Sequence, residues 1–272
     1  MRSEADRSVP ERVQIGALSV DRVTFAQALD AIEDLIASGQ GGAVFTPNVD
    51  HVVLAEEDLE FRRAYSAARL CLADGMPLVW GSRLLRHSIP EKVSGSDLIW
   101  PLMKRAAAKA WRVYLLGAGP DVAERAAQVL RAQLGVNVVG VDAPVIANPR
   151  SAAERGPILQ TIRHAAPDLV LVAFGAPKQE LFIHAAGPEL GPAVALGIGA
   201  SLDFITGTVR RAPRWMSAHG LEWLYRLVRE PRRLWRRYLL RDPKFARILW
   251  RTWRETTGRA SVPPRPRGAG PG

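Results

Sequence analysis

Five short polar stretches follow apolar runs, and their residue types suit chemistry on a phosphorylated or hydroxylated ligand. They are Thr46-Pro-Asn48, Asp74-Gly75, Gly117-Ala-Gly119, Gly175-Ala-Pro-Lys-Gln-Glu180 and Gly197-Ile-Gly199-Ala-Ser-Leu-Asp203. Asp74 offers a carboxylate that could take a proton from an attacking hydroxyl. A turn or helix-capping residue of the same type would serve structure alone, and pattern does not separate the two. Gly117 and Gly119 form a short glycine turn, which either cradles a phosphate on backbone amides or simply joins a strand to a helix. The third glycine of a dinucleotide fingerprint would fall at 122, which is valine, and Asp142 is the nearest acidic partner for a ribose.

Metal chemistry has little to work with. The five histidines (51, 87, 164, 184 and 219) are scattered, with no HExxH and no Cys/His pairing. There is also no Asp-x-Asp pair to hold a cation on a diphosphate. Charge on a diphosphate leaving group would therefore fall to Arg, Lys or backbone amides.

These residues need a frame, and the hydrophobic periodicity supplies one. Val13–Val20 alternates as a strand, and Phe25–Ala37 has helical spacing that stops at Gly39-Gln-Gly-Gly42. Strands are expected at 43–46, 70–73, 111–116, 136–141, 169–174 and 193–196. Helices are expected over 49–68, 76–86, 97–109, 121–134, 151–165 and 178–186. Strands separated by helices imply βαβ units, hence an α/β fold: a Rossmann-like parallel sheet with helices on both faces. Such sheets bind ligands at the carboxyl ends of their strands, where the five polar stretches fall.

Charge divides the chain. The net charge is +10, yet residues 1–204 hold 20 Lys/Arg against 23 Asp/Glu, while 205–272 hold 17 against 4. Five of the eight tryptophans (215, 223, 235, 250 and 253) lie in that basic quarter. A segment of this kind seeks phosphate in nucleic acid, in anionic lipid or in a diphosphate substrate. The expected organisation is a loose N-terminus (1–12), an α/β core (13–207), a basic helical C-terminal appendage (208–257) and a disordered Pro/Gly-rich tail (258–272). Met1–Val9 has no apolar run of a signal peptide, and no stretch reaches the ~18 apolar residues of a spanning helix. The lone Cys71 fits a reducing compartment and reads first as a buried apolar residue.

Seven ordered blocks resemble the WecG/TagA/CpsF family of glycosyltransferases over roughly residues 13–240. They are Thr46–Asn48, Leu72–Leu78, Pro90–Asp97, Val113–Gly119, Pro167–Glu180, Gly197–Gly207, and Arg211–Trp215 continuing through Leu221–Leu227 and Glu230–Tyr238. The resemblance implies inverting, metal-independent transfer of an N-acetylmannosamine-type or other hexose from a UDP-sugar. The acceptor would be a polyprenyl-diphosphate-linked saccharide used in cell-surface polysaccharide synthesis. No cofactor is implied, and homo-oligomers occur within the family. The protein would be cytoplasmic and bound peripherally to the inner face of the plasma membrane, its C-terminal segment meeting anionic lipid.

Carried over by position, Asp74 is the general base, with Thr46 and Asn48 lining the same pocket. Gln179 would contact the donor, and Asp203 the uridine. Arg211 falls in a matching block, and Arg226, Arg233 and Arg236 match arginines that meet the diphosphate. Lys92 stands where the family usually has arginine, which keeps the charge but loses the bidentate fork. Two rival functions are a nucleic-acid-binding protein using the basic segment and a nicotinamide-dependent oxidoreductase using Gly117 and Gly119.

Overall fold

A computed structural model describes residues 11–207, Met216, 222–229 and 243–259. The chain opens with an antiparallel hairpin, β1 (Arg12–Ile15) and β2 (Leu18–Asp21). The single strand expected over 13–20 is thus two, because Gly16 turns the chain at φ 59° inside an unbroken alternation of side chains. Helix α1 (Phe25–Ser38) follows, capped by a Thr24/Gln27 capping box and closed by left-handed Gly39.

The rest of the chain builds the sheet: β3 (Gly42–Phe45), α2 (Val49–Glu57), α3 (Leu59–Ser66), β4 (Leu70–Cys71), α4 (Met76–Leu84), α5 (Gly95–Ala108) and β5 (Arg112–Gly117). Then come α6 (Pro120–Leu134), β6 (Asn137–Asp142), α7 (Ala152–Ala165), β7 (Leu169–Ala173), α8 (Lys178–Ala186), β8 (Val194–Gly197) and α9 (Ser201–Ile205). The helix expected over 49–68 is broken at Asp58, whose side chain caps α3 by accepting from Glu60 and Phe61 N–H. Two further helices are described, α10 (Glu222–Arg229) and α11 (Lys244–Arg259).

Six strands pair in the order β4-β3-β8-β7-β5-β6, each pair parallel. Successive strand residues face opposite cores. Tyr114, Leu116, Val170 and Val172 join the core under α2, α3, α4, α7, α8 and the hairpin. Val113, Leu115, Leu169 and Leu171 join the core under α1, α5, α6 and α9. Adjacent strands thus send their following helices to opposite faces: α2 behind β3 and α9 in front of β8, α8 behind β7 and α6 in front of β5. Where following helices diverge in this way, parallel sheets bind ligands at the carboxyl edge.

The hairpin shields the β4 edge. Asp21 accepts the Cys71 N–H at 2.6 Å, and Arg12 pairs with Asp21 at 2.9 Å while donating to the Ala68 and Arg69 carbonyls. Burial raises the Asp21 pKa despite these partners and pushes the Cys71 thiol up to about 12, so that thiol is an inert core group. Helix α11 packs on the same side. Phe245 and Ile248 are buried, and Thr252 Oγ1 accepts the Gly16 N–H at 3.0 Å. Lys244–Glu57 and Arg251–Glu56 ion pairs, each 2.6 Å, tie it to the C-terminal end of α2. The end of the basic segment is thus seated on the core, and its helix runs two residues into the expected tail.

Candidate active site at the carboxyl edge

β3, β4 and β8 end side by side, and their polar residues meet there. The Asp74 N–H donates to the Pro47 carbonyl at 2.8 Å, placing the turn after β4 against Thr46-Pro-Asn48. The Val93 N–H donates to the Ala73 carbonyl at 2.8 Å and brings the start of α5 to the same spot. A β-carbon on Gly95 would stand 3.4 Å from Ser201 Oγ, 3.5 Å from Thr46 Oγ1 and 3.6 Å from the Ile198 carbonyl. Two hydroxyls, at positions 46 and 201 and so 155 residues apart in the chain, one just past β3 and one opening α9, therefore face the bare N-terminus of α5. Asp74 is half-buried, at a turn where Gly75 takes φ 118°.

Asn48 has a structural task in addition to its place on this edge. Its side chain accepts from the Asp50 and His51 N–H groups, and its own N–H donates to His51 Nδ1 at 3.0 Å, a reciprocal cap on α2. Lys92 pairs with Asp97 at 2.8 Å, and the same carboxylate accepts from Ser94 Oγ at 2.6 Å. Any contact of Lys92 with a diphosphate must be shared with that pair. Asp203 lies in the first turn of α9, half-buried, just past the Gly197–Gly199 turn.

Gln179 is only 4% exposed and bridges two turns. Its Oε1 accepts the Gly199 N–H at 2.9 Å, and its Nε2 donates to Glu180 Oε1 at 2.8 Å. Glu180 is buried at 1% exposure, and burial pushes its carboxyl up to about 7 against the lowering effect of Gln179. Glu180 and Ser201 fall within polar stretches of the sequence but, like His51 and Gly95, are not singled out there as site residues. The available signals were a capping histidine three residues after Asn48 and a glycine one residue past the Ser94 cap.

The glycine turn after β5 is different. Gly117 has φ 97°, and a β-carbon there would lie 2.8 Å from Phe174 Cδ1 and 2.9 Å from the Ala173 carbonyl carbon. Close packing against β7 accounts for this glycine without a phosphate. Gly119 is exposed and precedes α6. Arg211, Arg233 and Arg236 lie outside the described residues, as does the side chain of Arg226, although its backbone belongs to α10. Residues 1–10 and 260–272 also lie outside them.

Among the described residues no helix is long and apolar enough to cross a membrane. The parallel sheet agrees with the expected fold, and the chain matches the glycosyl transferase WecG/TagA/CpsF family over residues 13–259, most of its length. This protein is therefore a member of the WecG/TagA/CpsF glycosyltransferase family.

Proposed function

We propose that the protein transfers a hexose, of N-acetylmannosamine type or another, from a UDP-sugar to a polyprenyl-diphosphate-linked saccharide, with inversion and without a metal. The observation that carries this reading is the meeting of Thr46, Asp74, Gly95 and Ser201 at the ends of β3, β4 and β8. Asp74 takes the proton of the acceptor hydroxyl as that oxygen bonds to the anomeric carbon and the bond to UDP breaks. Thr46 and Asn48 orient the reacting groups, and Asp203 holds the uridine. The Gly119 amide at the start of α6, Lys92 and Arg211, Arg226, Arg233 and Arg236 offset the charge gathering on the diphosphate. Gln179 acts on the donor through the Gly199 turn that it holds.

We also propose peripheral docking on an anionic membrane. Trp250 (54% exposed) and Trp253 (37%) lie on the outer face of α11 among Arg247, Arg251 and Arg254, with Arg254 stacked 4.8 Å over Trp250. Trp80 and Leu84 stay exposed on α4, which meets α11 where Gly81 approaches Leu249. Aromatic side chains beside arginine suit the headgroup level of a bilayer. The lipid-linked acceptor would then be presented to the carboxyl edge from that surface.

The deciding experiment is a panel of UDP-sugars with a short-chain polyprenyl-diphosphate-sugar acceptor, run with and without chelator. Transfer unaffected by chelator is expected. No transfer from any UDP-sugar overturns the reading, and loss of activity with chelator overturns metal independence alone. Sedimentation with anionic vesicles tests docking. Binding is expected to fall when Trp250 and Trp253 become serine, and unchanged binding would assign attachment elsewhere.

A further inference from the structure

Glu180 is a buried carboxyl that no step above uses, and a carboxyl at 1% exposure costs stability unless something is gained from it. Its Oε2 has no hydrogen-bond partner among the described residues. Its Oε1 accepts from Gln179 Nε2 at 2.8 Å and faces His51 Nε2 at 3.7 Å.

Both neighbours have one orientation that works. Turning the Gln179 amide over would set its oxygen against the carboxyl and its NH2 against the Gly199 N–H, two repulsive contacts in place of two bonds. His51 Nδ1 accepts the Asn48 N–H, so the proton of the neutral ring lies on Nε2, the nitrogen turned toward Glu180. The His51 ring is stacked on Phe61 at 5.9 Å and has little freedom to rotate away. Tyr65, from α3, is a further titratable side chain near this carboxyl among the described residues, and Cys71 and Asp74 lie within electrostatic reach of Tyr65. Glu180 thus bonds, on one oxygen, the Gln179 side chain that grips the turn after β8, and the same oxygen stands 3.7 Å, beyond hydrogen-bond distance, from the His51 ring that caps α2 after β3.

We infer that Glu180 is a positioning residue: by bonding Gln179 while facing the Nε2 side of His51, it holds Gly199 and Asn48 at a fixed spacing across the floor of the donor site. The inference rests on the reading of this edge as that site. It is tested in the full chain with Glu180→Leu and Glu180→Gln, measuring UDP affinity by calorimetry and the hydrogen exchange of the Gly199 and Asn48 amides. The leucine variant is expected to bind UDP about tenfold more weakly, the size of one lost orienting hydrogen bond. Glutamine keeps an acceptor for Gln179 and is expected to restore affinity to within about threefold. Wild-type affinity in the leucine variant overturns the inference. If that variant does not fold, exchange in the wild type decides. Gly199 and Asn48 are expected to open together, with protection agreeing within about tenfold, and independent opening overturns the inference. If the wild type binds no UDP, the donor reading fails by itself, and the same exchange measurement still decides the role of Glu180.

Discussion

Gly117-Ala-Gly119 after β5 and Gly197-Ile-Gly199 after β8 both leave a buried parallel strand and enter a helix, yet their surroundings differ. A β-carbon on Gly117 would meet Phe174 and the β7 backbone, all packing atoms. A β-carbon on Gly197 would meet the Gln179 amide at 3.0 Å, and the Gly199 N–H is already bonded to that amide. The same glycine pattern thus serves close packing at one turn and a buried polar network at the other. The lesson is that a glycine pair at a strand end marks a close approach, and the approaching group decides what the glycine is for.

Four measurements test that contrast, and the largest effect belongs to the polar side. Asp74→Asn is expected to lower turnover by about a hundredfold or more while the thermal transition stays in place. Near-native turnover would remove Asp74 as the base. On the packing side, Gly117→Ala combines a positive φ with a contact at 2.8 Å and is expected to cost about 3 kcal/mol or more in urea unfolding. A neutral result would show that β5 and β7 can part and would blur the distinction.

The third measurement concerns the network's buried carboxyl. Folding raises the Glu180 pKa from 4.5 to about 7, so the folded protein prefers the protonated form. Its contribution to stability is full below about pH 4.5 and is lost as pH rises toward about 7, up to about 3 kcal/mol. Glu180→Gln cannot titrate and is expected to flatten that fall when unfolding is compared at about pH 5 and about pH 8. A wild-type slope in the variant would place the linked proton on another group. The smallest effect is for Gly119→Ala. That residue has φ −78° and nothing nearer its β-carbon position than Val122 at 4.0 Å, so stability should stay within about 0.5 kcal/mol. A large loss would mean that the outer half of this turn is as constrained as the inner half.

Local pattern was enough to find most of the elements because each obeys its own periodicity. β7 is an apolar run and α8 a helix bounded by Pro177 and Gly187, and the limits of both lie within about a residue of the expected ones. It failed where two elements share one period. The β1–β2 hairpin alternates straight through its Gly16 turn, and α2 continues into α3 with helix-forming residues on both sides of Asp58. Thr46, Asp74, Gln179 and Asp203 are candidates that the ordered blocks single out. Ser201 and Glu180 lie in the same polar stretches and Gly95 in a family block, yet a serine, a glycine and a glutamate beside a glutamine show no role of their own until their neighbours are known.

The alternation of strand and helix, the segregation of basic charge after residue 204 and the ordered family blocks follow from the sequence alone, because each is set by residues near one another in the chain. Strand order is not. β3 lies beside β8, with Val44 opposite Leu196, because crossover handedness and burial on both faces select that arrangement over others with the same local pattern. Only that pairing brings Thr46 to Ser201 around Gly95, and sets Glu180 against His51 in a site dry enough to lift its carboxyl toward neutrality. A pKa and a contact distance depend on what surrounds a group in space, and here the surroundings come from strands about 150 residues apart.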